Sequence, residues 1–113
     1  MPNTTYNISF KGYVGGLDFD RSKVDKKLAK NEGKEINVLI DSLGSLLVTS
    51  LSISDAFKNH GTVNVHFVGL SASAENVSSL GKTHISIFIR DMCLNRKYAM
   101  DTRSIVISPL NLS

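Results

Sequence analysis

Two short loops rich in serine and glycine carry the residue types that acyl-transfer chemistry uses. The first reads DSLGS over residues 41–45, and the second reads GLSASA over residues 69–74. A turn of the first kind can aim backbone N–H groups at an anion, and Ser73 in the second would place a hydroxyl at the positive end of a helix dipole, where a developing oxyanion is stabilised. Serines at such junctions more commonly act as N-caps, so Ser71 or Ser73 also fits a purely structural role.

The other reactive side chains show no comparable arrangement. The histidines His60, His66 and His84 are scattered, with no cysteine or glutamate pair nearby, so they predict surface or capping roles and no metal site. We expect Cys93 to pack in the core or at an interface. The stretch FKGYVGG (residues 10–16) lacks the Gly-Lys-Ser/Thr of a phosphate loop and is interpreted as a loop or bulge.

Alternating strand and helix signals predict how the two loops are positioned. The expected order is strand Ile36–Ile40, helix Leu46–Asn59, strand Val63–Val68, helix Ser71–Leu80 and strand His84–Ile89. Gly61 and Gly81 are expected to end the two helices. Short connections of this kind give parallel strands with right-handed crossovers, and ligands bind where such strands end. Both serine loops should therefore lie at one edge of the sheet, with His84–Ile87 as the third adjacent parallel strand.

The flanking elements and side-chain faces are predicted more coarsely. The apolar face of the central helix is expected to comprise Leu47, Leu51, Ser54, Ala56 and Phe57, and in the next strand His66 should face away from Val65 and Phe67. The flanks predict a strand at Tyr6–Phe10, an exposed helix at Asp20–Asn31 anchored by Val24 and Leu28, an irregular segment at Arg90–Arg103 and a strand at Ser104–Ser108.

Composition excludes several classes of function. The 113 residues suffice for one domain, 1–113, and a net charge of +3 is dispersed, with the densest lysine group (residues 23–34) mixed with acids as on a solvated helix face. Nucleic-acid binding is therefore not expected. A single cysteine excludes an internal disulfide and any multi-cysteine metal site. No apolar run approaches the roughly 18 residues of a membrane helix, and no secretory signal is visible, so we expect a cytoplasmic protein with no membrane contact. We also expect no cofactor.

The serine loops and the elements around them resemble the Clp-type serine peptidase family. The resemblance rests on INVLIDSLGS, SISDAFKNHG, VNVHFVGLSASAENVSSLG and KTHISI, which follow the family order of strand, (N/D)-S-x-G-G turn, helix, strand and G-x-x-A-S-A/M nucleophile loop. It is nearest to the Clp-protease-like proteins of Bacteroides-type bacteria and their phages, prohead proteases included. It covers about residues 6–97 and is strongest over residues 35–87. It implies the Clp/crotonase spiral of ββα units, of which this chain would hold the N-terminal part and be incomplete at its C-terminus.

By this resemblance, Ser73 falls on the nucleophile position, while Gly44, Ser45 and Ala74 fall on the oxyanion positions. The chain departs from the family pattern in three ways. Ser45 replaces the second glycine of the oxyanion turn, and Arg96 stands at the position of the family histidine, where a permanently charged guanidinium cannot accept the serine proton. Neither Asp91 nor Asp101 matches the family aspartate, which lies in a region that this chain lacks.

The function implied by the resemblance is that of a Clp-like serine endopeptidase subunit, catalytically impaired in this chain. Its implied partners are a peptide or protein substrate if active, further copies of itself or an active paralogue, and an AAA+ ATPase. Two alternatives stay open. One is a non-enzymatic Clp-fold subunit that only assembles, and the other is a crotonase-like acyl-CoA site, which shares the oxyanion geometry.

Overall fold

Three helices and five strands make up most of the chain that the structure describes. The computed structural model describes residues 5–17, 19–42, 44–68, 79–94, 96–100 and 104–109. In chain order the elements are β1 (Ile8–Lys11), α1 (Arg21–Ala29), β2 (Ile36–Asp41), α2 (Leu47–His60), β3 (Val63–Val68), α3 (Ser79–Cys93), β4 (Arg96–Met100) and β5 (Ser104–Pro109). The fold is therefore of the α/β class, as the sequence predicts.

The strands form one mixed sheet in the order β1-β2-β3-β5-β4. Strands β1, β2 and β3 are parallel to one another, whereas β5 runs antiparallel to β3, and β4 runs antiparallel to β5. The expectation that the strands at 36–40 and 63–68 are adjacent and parallel is confirmed. The expected strands at 6–10 and 104–108 are also present, as β1 and β5.

All three helices pack on the same face of the sheet. Two rows of buried strand residues cross this face, namely Ile8, Val38, Val65 and Ile107, then Phe10, Ile40, Phe67 and Ile105. The helices contribute to the same connected core Val24, Leu28, Ile53, Ala56, Phe57, Ile85, Phe88 and Met92. Right-handed crossovers between successive parallel strands produce this one-sided arrangement.

The ends of α1 and α2 follow from local side-chain and backbone chemistry. The Asp20 carboxylate caps α1 by accepting a hydrogen bond from the backbone N–H of Lys23 at 2.8 Å. Gly61 ends α2 with φ of +98°, a conformation that side-chain-bearing residues rarely adopt, and its N–H donates to the carbonyl of Phe57 at 3.2 Å. The predicted helix stop at Gly61 is confirmed.

The buried stripe of α2 agrees only in part with the predicted one: Ser54, Ala56 and Phe57 are buried as expected. Ile53 is fully buried, together with Ala56 and Phe57, whereas Leu51 is 39% exposed. The i, i+3, i+4 spacing of one helix face relates Ile53 to Ala56 and Phe57 and continues into the last turn. Leu51 is rotated away from this face. In α1 the two expected anchors, Val24 and Leu28, are both buried.

The predicted strand at His84–Ile89 is wrong, because these residues lie in the middle of α3. Ile85, Phe88 and Met92 are buried at spacings of three and four, which is the period of a helix face packed on a core. Gly81, predicted to end a helix, is instead a buried residue near the start of α3. The helix predicted at Ser71–Leu80 lies outside the described residues, except that 79 and 80 begin α3.

The segment Arg90–Arg103 is not irregular as predicted. Its first residues complete α3, and residues 96–100 form β4, which is mostly exposed and therefore lacks the apolar alternation of a typical strand. Cys93, near the end of α3, is partly buried and packs against the core, as expected. Within the described ranges, no helix has the length and apolarity needed to cross a membrane.

Candidate active site

β2 and β3, the strands that precede the two serine loops in the sequence, end side by side. In their register Asp41 is paired with Val68, so both strands finish at the same end of the sheet. This is the carboxyl edge of the parallel strands, where ligands bind in α/β sheets. The predicted nucleophile Ser73 and the predicted donor Ala74 lie outside the described residues, so their roles stay predictions.

Gly44, the first predicted oxyanion residue, sits in a buried and internally bonded turn. Its N–H donates to the hydroxyl of Ser42 at 3.3 Å, and the same hydroxyl donates to the Gly44 carbonyl at 2.8 Å. The Gly44 carbonyl also accepts a hydrogen bond from the N–H of Val14 at 3.0 Å. The turn is thus fixed from both sides by the protein itself.

Ser45, the second predicted oxyanion residue, is fully buried and uses every backbone group. Its N–H donates to the carbonyl of Gly81 in α3 at 3.1 Å. Its carbonyl accepts hydrogen bonds from the Tyr13 hydroxyl at 3.0 Å and from Nδ1 of His84 at 3.1 Å. Its own hydroxyl donates to the carbonyl of Leu46 at 2.9 Å, so the Ser45 side chain has a defined place.

The loop after β1 holds this turn against the sheet edge. Val14 forms a parallel β-bridge with Ser45, and the N–H of Leu46 donates to the Val14 carbonyl at 2.9 Å. Gly15, at φ of +105°, lies so close to Leu46 that an added Cβ would meet its Cδ1 at 2.8 Å. Within FKGYVGG, Phe10 and Lys11 end β1, whereas residues 12–16 form a loop as interpreted, and this loop is bonded to the turn.

His84 is the histidine that lies beside the candidate turn. Because a carbonyl only accepts hydrogen bonds, the contact with Ser45 requires the proton on Nδ1 and leaves Nε2 with the lone pair in the neutral ring. The ring is half-buried. The sequence analysis missed this placement because it assigned His84 to a strand; the helical spacing of Ile85, Phe88 and Met92 is the signal that could have found it.

The other two histidines lie elsewhere. His66 is on the sheet face away from the core, as predicted, and shares a hydrogen bond with the Tyr6 hydroxyl. His60 ends α2, and its Nε2 contacts the carbonyl of Asn31 at 2.9 Å. Since α2 ends just before β3 begins, His60 is at the opposite edge of the sheet from the Gly44–Ser45 turn.

Arg96, which the sequence resemblance aligned with the family histidine, is not brought to the candidate site. Across the sheet, Tyr98 is level with Val65, because both residues pair with Ile107. Arg96 precedes Tyr98 by two residues and is therefore level with Val63, at the start of β3. That row is about five residues from the carboxyl edge at Val68, which corresponds to roughly 16 Å along a strand.

Asp91 is occupied in a contact between α2 and α3. Its Oδ2 accepts hydrogen bonds from the Ser54 hydroxyl at 2.6 Å and from Nζ of Lys58 at 3.1 Å. Burial opposes ionisation, but these hydrogen bonds and the charges of Lys58 and Arg96 outweigh it and hold the pKa of Asp91 below its ordinary value. Seven residues after His84, or about 10 Å along the helix, Asp91 is too distant to orient that ring.

Neither Cys93 nor a metal-binding cluster among the described residues adds chemistry to the site. Burial raises the pKa of the Cys93 thiol, so little nucleophilic thiolate forms at neutral pH. Among the described residues, no group of three or more histidine, cysteine, aspartate or glutamate side chains gathers that could hold a metal ion.

Comparison of the chain with protein-family models, curated proteins and solved structures finds no match in any of the three.

Proposed function

We propose that the chain is a Clp-like serine-peptidase domain whose site at the carboxyl edge of β2 and β3 has little or no turnover. The proposal joins the motif resemblance at Gly44 and Ser73 to an α/β sheet in which the strands preceding both residues, β2 and β3, finish at the same end. It assigns the chain to the spiral of ββα units, with β1, β2 and β3 as its parallel strands.

The observation that carries the proposal is the state of the oxyanion turn. The N–H of Ser45 is bonded to Gly81, and the N–H of Gly44 points to the Ser42 hydroxyl. An oxyanion hole needs donors free to meet the oxygen as charge develops on it, and the loss of one such donor costs about 10²- to 10³-fold in kcat. A turn whose donors already have internal partners supports impaired catalysis.

The available bases support the same conclusion. Arg96 cannot accept a proton at neutral pH. It lies level with the start of β3, at the end of the sheet opposite to the Gly44–Ser45 turn. His84 is near the turn, but its Nδ1 is held by a backbone carbonyl in place of the carboxylate that stabilises an imidazolium in a triad. A triad that lacks its base and its orienting acid typically loses about 10⁴-fold or more of the catalytic rate.

The experiment combines a fluorophosphonate probe with a fluorogenic peptide library, applied to the unmodified chain and to Ser73→Ala. We expect no label at Ser73 by mass spectrometry and the same background hydrolysis from both proteins. Hydrolysis by the unmodified chain that Ser73→Ala abolishes would refute the impairment. If His84→Ala, made in the unmodified chain, also abolished that hydrolysis, His84 would be identified as the base. Only if the chain hydrolyses peptides do we also propose a peptide substrate and an AAA+ ATPase as its partners.

A second candidate, a non-enzymatic assembly subunit, is favoured by the sheet itself. The row Ser9, Leu39, His66, Val106 and Ala99 crosses the face opposite the helices, and no described helix or strand covers it. Parallel strands such as β1, β2 and β3 are usually covered on both faces when they make up a sheet by themselves. Sedimentation that shows only a monomer at every concentration would remove this candidate.

A further inference from the structure

Strand β4 is an exposed edge of the sheet. It is last in the strand order and pairs only with β5 among the described strands. Four of its five residues are exposed and the first is partly buried. An open edge presents unpaired N–H and C=O groups that can pair with another strand.

The apolar face of the sheet continues onto β4 beyond the cover of the helices. Tyr98 is paired with Ile107, and Met100 with Ile105, so these side chains share the helix-facing side. The two β5 residues are 0% and 8% exposed, whereas Tyr98 is 55% and Met100 64% exposed. The edge therefore offers apolar surface as well as backbone groups.

We propose that β4 pairs antiparallel with β4 of a second copy of this chain, about a two-fold axis at Tyr98. The axis is perpendicular to the sheet, so both helix layers lie on the same side and the sheet continues from one copy into the other. This surface is separated from β3 by β5, and the pairing does not depend on the chemistry proposed at the Gly44–Ser45 turn.

The charges along β4 suit a second copy in this register. Tyr98 faces Tyr98, Arg96 faces Met100, and Lys97 faces Ala99, so all five residues are paired and no like charges are directly opposed. An axis at Lys97 would instead oppose two lysines. The aliphatic stem of Arg96 can lie beside Met100 while its guanidinium stays in water.

The contact is small, and we expect a weak dimer. Interfaces below about 1,200 Å² belong to transient complexes, and a five-residue strand pair falls in that class. Dimerisation should consequently depend on protein concentration in the micromolar to millimolar range. C2 pairing also closes the assembly, because each copy uses its single β4 edge.

The test uses position 99. In the proposed dimer each Ala99 faces Lys97 of the other copy, so this pair occurs twice. Sedimentation equilibrium on the full chain should give a tighter dimer for Ala99→Glu and a weaker one for Ala99→Lys. Opposite-charge cross-strand pairs contribute roughly 0.2–1 kcal/mol, so two of them correspond to about a 2- to 30-fold change in Kd in each direction. Ser9→Lys, on the exposed side of the other edge strand β1, is the matched control and should leave Kd unchanged.

Three results would overturn the proposal. The unmodified chain could remain monomeric throughout the concentration range. It could instead assemble with a Kd that neither Ala99 variant changes, which would point to a surface that does not include β4. Ser9→Lys could also weaken assembly as much as Ala99→Lys does, which would point to the open sheet face that both residues share, or to β1. Circular dichroism of each variant ensures that a change in Kd is not a loss of fold.

Discussion

The contact that joins α2 to α3 through Asp91 gives the sharpest prediction on stability. Ser54 is fully buried, and its hydroxyl has the Asp91 carboxylate as an acceptor at 2.6 Å. In Asp91→Ala this hydroxyl loses that partner, at a cost of about 1–3 kcal/mol, while the better helix propensity of alanine returns about 0.5 kcal/mol. We expect the free energy of unfolding to fall by about 1–2 kcal/mol.

Asp25→Ala is the matched control. Asp25 also lies within a helix, and its ion pair with Arg21 at 2.8 Å is on the surface, with side chains 41% and 52% exposed. Surface pairs at this spacing contribute about 0.3–0.5 kcal/mol, which the gain in helix propensity offsets. Urea unfolding at constant m-value should therefore show a clear loss for Asp91→Ala and almost none for Asp25→Ala.

The pH dependence follows from the lowered pKa of Asp91. The carboxyl pKa is below its ordinary value of 3.8 in the folded state, so its stabilising effect is fully present above that value and is lost as the pH falls through the folded-state pKa. The difference in stability between the unmodified chain and Asp91→Ala should shrink below about pH 4. Equal losses for the two variants at pH 7, or a difference that does not change on acidification, would refute the reasoning.

The remaining predictions concern the core, one turn and the candidate site. Phe88→Ala removes a fully buried ring that packs edge-on against Phe67, and thermal unfolding should report a loss of about 3–5 kcal/mol, whereas a loss below 1 kcal/mol would mean that α3 does not pack there. Gly61→Ala forces a Cβ into a backbone with φ of +98° and should destabilise by about 1 kcal/mol in urea unfolding; an unchanged midpoint would contradict this end of α2. Arg96→His should not produce peptidase activity, because residue 96 lies roughly 16 Å from the carboxyl edge. Activity from that single change, measured with the same peptide library, would place residue 96 at the site after all.

The parts of the fold that local patterns determine were predictable. β2 and β3 are short runs rich in β-branched residues, bounded by polar residues and glycine, and their parallel pairing follows from the helix between them. The segment at 84–89 was ambiguous, since Ile85, Ile87 and Ile89 alternate as in a strand while Ile85 and Phe88 fit a helix face. Only the packing of α3 on the core decides between the two. The exposed β4 lacks any alternation that could have revealed it.

The candidate site was predictable in its place and not in its bonding. The edge at which Gly44 and Ser45 lie follows from the strand order. The partners of Ser45, namely Tyr13, Gly81 and His84, are more than thirty residues away in the sequence, and no local spacing encodes such contacts. A serine in a glycine position indicates a changed turn, but its occupied N–H became visible only with α3 in place.

A crystal structure of the chain tests the central claim most directly, through two distances around the Gly44–Ser45 turn. We predict Cα atoms of Gly44 and Ser73 within about 12 Å of each other, since the donors and the nucleophile must reach one reacting group. We also predict that the N–H of Ser45 remains bonded to the carbonyl of Gly81. A larger Gly44–Ser73 separation would contradict the Clp-like assignment, and a Ser45 N–H directed freely toward the Ser73 hydroxyl would contradict the impairment.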